Sequence, residues 1–181
     1  MSAIEKQLGN DTEAEEWTRR ANLAGDFVME MFDSAAGCFF AGTVPAGTPS
    51  GPGIQPNGAQ RGEDVINTFS FLDANTFTTL ALAATPRYRD RIDWRRPVQC
   101  MLDNFAQSVT VGAQAFRGFN IVKEPTAGPN GIAWEFTRQV VVTMRFVDNL
   151  SRNRVFQETL LFFVSRSVLP KAPLLLAMVV G

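Results

Sequence analysis

The stretch FSFLDANTF, residues 69–77, follows a loop dense in Gly and Pro and opens a run of apolar and small residues. Its reading decides the fold. Ala74, Phe77, Leu80, Ala81 and Ala84 recur at helical spacing, and Leu82 and Ala83 fill the other side. The spacing predicts a helix over about 73–85 that is buried all round, because almost no charge interrupts it. Pro86 stops it, since proline cannot donate an amide hydrogen and clashes with the turn before it. Asp73 sits in the first turn. Orphan amides and the helix dipole favour an acid there, so capping is the plainest role for it and chemistry is the alternative.

Outward from this helix, apolar periodicity predicts others. Trp17, Ala21, Ala24, Phe27, Val28, Met31 and Phe32 form one stripe of a helix that starts at a capping box, Thr12 with Glu15. Its wet face carries Glu15, Arg19, Arg20 and Glu30. Val98, Met101, Leu102, Phe105 and Val109 form the stripe of a second amphipathic helix over about 93–110, with Asp93 as its cap and Pro97 in its first turn. A second buried helix starts near Trp134, and a further one covers about 152–167. Ile4, Leu8 and Gly9 end a short helix at the N-terminus. Two long Gly-rich segments, 43–63 and 111–133, precede the two buried helices, with extended pieces at 38–40 and 116–122.

Amphipathic and buried helices therefore alternate. That pattern predicts an all-α fold of αα-hairpins in two layers. Residues 1–150 are expected to form one helical domain, and residues 151–181 to add a terminal helix and an apolar tail.

Composition narrows the function. Charge is nearly balanced, at −1, so no basic excess points to nucleic acid. The chain has no histidine, which excludes Ser-His-Asp and Cys-His catalysis within it and leaves carboxylates as the acid–base groups. The acids are scattered and form no metal-binding pattern. Cys38 and Cys100 fit no metal or redox spacing and are expected as small buried fillers. GPGIQPNG lacks the ending of a phosphate loop, so no cofactor is expected. The N-terminus shows no signal-peptide core, and the apolar run Leu174 to Val180 is far shorter than the roughly 20 residues that span a bilayer.

Two acids stand out together. Asp73 and Glu135 each occupy the first turn of a buried helix, just after a long loop. Two carboxylates converging on a cleft can protonate a leaving oxygen and activate water or attack. Burial beside Trp134 and Phe136 would suit Glu135 to act as the acid.

Four segments carry a resemblance: MFDSAAGCFFAGT (31–43), NTFSFLDANTFTTLALAATPRYRDRIDWRR (67–96), FRGFNIV (116–122) and GIAWEFTRQVVVTMRF (131–146). Together they resemble the (α/α)6-toroid proteins of the six-hairpin glycosidase type. The resemblance implies part of a toroid, about two and a half hairpins, with the remaining hairpins as a partner. It implies a carbohydrate-active protein, a glycoside hydrolase or related glycan-processing enzyme acting on an oligo- or polysaccharide. The catalytic candidates are then Glu135 and Asp73, and the substrate-binding candidates Trp134, Arg117, Phe71 and Asn75. The competing expectation is a non-catalytic helical carbohydrate-binding or scaffold module. A terpenoid cyclase on a related toroid would need an Asp-rich diphosphate motif, and none is present.

Overall fold

The computed structural model describes residues 1–123, 131–151, 155–157 and 159. The described residues are 46% helical and 20% strand, with three small sheets, so the fold is mixed α/β. This corrects the all-α expectation, and with it the toroid of αα-hairpins. The expected helix over 152–167 and the apolar tail lie almost wholly outside the described residues.

Two helices open the chain, α1 (Ser2–Gln7) and α2 (Asp11–Glu30). Gly9 follows α1 with φ +81, the left-handed stop its position predicts. The Thr12–Glu15 capping box does not form: Asn10 is the cap, and no side chain bonds to the first turn. The stripe of α2 is corrected in part. Trp17, Ala21, Ala24 and Phe27 are exposed, with Ala14 and Gly25 buried instead, whereas Val28, Met31 and Phe32 do reach the core. Tyr88 seats itself over Gly25, where a Cβ would lie 2.4 Å from its hydroxyl, and donates to the Asn22 carbonyl at 2.9 Å.

The loop expected over 43–63 contains strands. After the β1–β2 hairpin (Phe32–Asp33 and Cys38–Phe39) come β3 (Gly42–Pro45), β4 (Gln60–Arg61) and β5 (Asp64–Asn67), an antiparallel sheet in the order β3-β5-β4. Gly62 starts the two-residue turn between β4 and β5 at φ +62.

Next comes α3 (Leu72–Leu82), the helix expected from residue 73, and then α4 (Arg95–Phe105). Trp94, and not the expected Asp93, is the N-cap of α4, although the Arg95 amide donates to Asp93 Oδ1 at 3.0 Å. The expected continuation of α4 to 110 is corrected. The chain turns extended at Ala106 and forms a hairpin, β6 (Ala106–Val111) with β7 (Gln114–Phe119). Gly112, again at φ +62, and Ala113 form its turn. Last comes α5 (Trp134–Ser151).

The core joins these elements around Phe39, Leu72, Val98, Met101, Phe105, Phe119, Val140 and Met144. Cys38 and Cys100 form a disulfide with Cα atoms 5.5 Å apart, which corrects the expectation of two separate fillers. It staples β2 to α4. Arg96 reinforces the same junction by donating to the carbonyls of Ser34 and Ala35.

The facing of α3 is the main departure from periodicity. Its buried side carries Asn75, Thr76 and Thr79 beside Leu72, while Phe77 and Ala81 are exposed. It is not buried all round. Its buried polar groups are satisfied. Thr79 Oγ1 donates back to the Asn75 carbonyl at 2.8 Å, and Thr76 Oγ1 meets Gln139 Oε1 of α5 at 3.2 Å.

Candidate functional site

The end of β7 and the residues just after it anchor the starts of α3 and α5. The Leu72 amide donates to the Ile121 carbonyl at 2.8 Å, and the Ala133 amide donates to the Phe119 carbonyl at 2.9 Å. The Phe119 amide in turn donates to Thr137 Oγ1 of α5 at 3.0 Å. The starts of α3 and α5 therefore hang from two residues of one extended segment, roughly 7 Å apart along it. The Thr76–Gln139 contact holds the two helices together one turn further on.

This brings Asp73 and Glu135, each the second residue of its helix, to one end of the molecule. The positive ends of both helix dipoles lie at that end. Asp73 does not cap α3. Phe71 is the N-cap, and no side chain bonds to the first amides. Asp73 is half-buried and Glu135 is exposed. The expected burial of Glu135 beside its aromatic neighbours is thus corrected: Trp134 is itself 47% exposed, and its ring meets Phe116 of β7 edge-on at 6.2 Å.

The other candidates divide. Asn75 is fully buried. The Phe39 amide donates to its Oδ1 at 2.8 Å, and its Nδ2 donates to the Phe71 carbonyl at 3.0 Å. Both ends of the side chain are spent on pinning β2 and the N-cap to α3, so Asn75 positions the helix and offers nothing to a ligand. Phe71 is half-buried and packs its ring on Phe69 at 4.7 Å. Arg117 is exposed on β7, where strand alternation puts it on the face opposite Phe116 and so away from Trp134.

An open cleft of about 490 Å³ adjoins this end of α3. Its walls come from the β1–β2 turn, the loop around residues 50–55, the approach to α3, and Lys123. The chemistry-bearing residues are Asp33, Gln55, Ser70 and Lys123, with Phe40 and Phe69 as apolar walls. None of Asp33, Phe40, Gln55, Ser70 and Lys123 was singled out for a site from the sequence. Among the described residues no group of three or more acids, cysteines or histidines could hold a metal ion, and no helix is long and apolar enough to cross a membrane.

Comparison with protein-family models, with curated proteins and with solved structures found no significant match.

Proposed function

We propose that this protein binds a carbohydrate at the shared start of α3 and α5. The observation that carries the reading is the common anchoring of both helix starts on residues 119–121, which brings two carboxylates to one end. Ionised carboxylates are pure acceptors and pair with sugar hydroxyls. Trp134, exposed and braced edge-on by Phe116, supplies the flat apolar face on which a pyranose ring stacks. A large exposed tryptophan beside an exposed acid, on a helix start held by hydrogen bonds, is an arrangement that favours a ligand over a core role.

Binding is the reading the exposure of Glu135 favours. The general acid of a cleaving pair works from a buried site, and Glu135 is exposed.

The test is calorimetric titration with neutral and acidic oligosaccharides. Trp134→Ala is expected to weaken binding by roughly 1–2 kcal/mol, from the loss of ring contact. Binding that is indifferent to Trp134→Ala, Asp73→Asn and Glu135→Gln alike would contradict the proposal. The same samples are assayed for new reducing ends. Cleavage that disappears in Glu135→Gln would extend the role of this pair from binding to acid–base chemistry.

A further inference from the structure

Phe71 and Val122 pair as an isolated antiparallel bridge, and the Leu72 amide bonds to the Ile121 carbonyl on one side of it. One residue out on the other side, Ser70 lies opposite Lys123. Residues directly opposed in an antiparallel pair send their side chains to the same face. Here that face is the cleft, which both residues line.

Ser70 Oγ is buried and has no hydrogen-bond partner among the described residues. A buried hydroxyl without a partner costs free energy and calls for an explanation. A bound ligand atom supplies one. Across the cleft, Asp33 spends Oδ1 on the amides of Ala35 and Ala36 at 2.9 and 3.2 Å, which fixes its orientation. Its charge forms no ion pair with Lys123, so cation and anion stand apart. Such a cleft suits a ligand with an acidic group at one end and hydroxyls at the other.

We propose that the cleft receives one acidic sugar unit, its carboxylate held by Lys123 and Ser70 and a hydroxyl donated to Asp33. This rests on the carbohydrate reading above and adds to it a second subsite, lined by none of Asp73, Trp134 and Glu135. Lys123 supplies a charge-assisted bond and Ser70 a neutral one, both to the same carboxylate. Phe40 and Phe69 provide the apolar wall for the ring. The volume lies within the range of small-ligand pockets, roughly 300–1,000 Å³.

The probes are glucuronate and glucose, which differ only in the carboxylate, titrated calorimetrically against the full chain. Glucuronate is expected to bind roughly tenfold tighter or more, and Lys123→Met is expected to erase that difference. Ser70→Ala is expected to weaken glucuronate several-fold while leaving glucose unchanged. Thermal melts of both variants verify that the fold is intact. Equal affinity for the two sugars would overturn this assignment and leave the carbohydrate reading standing. Glucuronate preference that survives Lys123→Met would overturn it too, by placing the acid elsewhere. If neither monosaccharide binds, the cleft assignment fails, while the Trp134-dependent titration with oligosaccharides judges the wider reading separately.

Discussion

Helices α3 and α4 are the same length and pack against each other, yet they obey different rules. α4 buries Val98, Met101 and Phe105 and turns Gln99 and Asp103 to solvent, as its periodicity predicts. α3 does the reverse. It buries Asn75, Thr76 and Thr79 and leaves Phe77 exposed at 56%. The difference teaches that a helix with sharp polar and apolar sides is oriented by the hydrophobic effect, whereas one with little contrast is oriented by its few specific hydrogen bonds. Asn75 takes part in one of them, accepting from the Phe39 amide of β2, and Thr76 in another, to Gln139 of α5.

The largest expected effect strikes the α4 side. Replacing Cys38 and Cys100 by serine opens a loop of 62 residues, which chain entropy converts to about 4 kcal/mol of lost stability. Urea unfolding with and without a thiol reductant measures it. Met101→Ala should cost about 3 kcal/mol through the cavity it leaves in a fully buried site.

Asn75→Leu sharpens the comparison most. If apolar burial oriented α3, leucine there would stabilise. If hydrogen bonds do, the substitution strands the Phe39 amide and costs about 2 kcal/mol in the same urea assay. Phe77→Ser should change stability by less than about 0.5 kcal/mol, because the ring already meets water.

A pH prediction concerns the end of α5. Desolvation raises the Asp148 carboxyl above its ordinary value, against the lowering effect of amide bonds from Phe156 and Val155. The folded state therefore holds that proton to higher pH than the unfolded chain. The contribution of Asp148 to stability is full below the ordinary carboxylate value and falls as pH rises through the raised one. Asp148→Asn should flatten that part of the stability–pH curve, read from melting temperatures across the acidic range.

Much of the helical framework was legible in the sequence. The positions of α2, α3, α4 and α5 follow from apolar periodicity. The hairpins were hidden for identifiable reasons. Val109 falls at helical spacing from Phe105 and reads as one more turn, although the β-branched run Val109-Thr110-Val111 followed by Gly112-Ala113 is a hairpin signal. Strands of two to four residues between glycines, as in β3 to β5, carry too few alternations to declare themselves. The disulfide has no local spacing to betray it.

At the candidate site, Asp73 and Glu135 were visible as acids at helix starts. Their sharing of one anchor was not, because it depends on backbone bonds to residues 119–121. Asn75 looked like a ligand-binding amide and is a structural pin. Ser70 and Lys123 become neighbours only through the Phe71–Val122 bridge.

The central claim is that the starts of α3 and α5 serve one ligand. A double-mutant cycle with Asp73→Asn and Glu135→Gln, read as oligosaccharide affinity by calorimetry, tests it most directly. Groups that share a ligand couple, so the account predicts that each substitution weakens binding and that the pair departs from additivity by about 0.5 kcal/mol or more. Strictly additive losses, or affinity unmoved by either substitution, would contradict it.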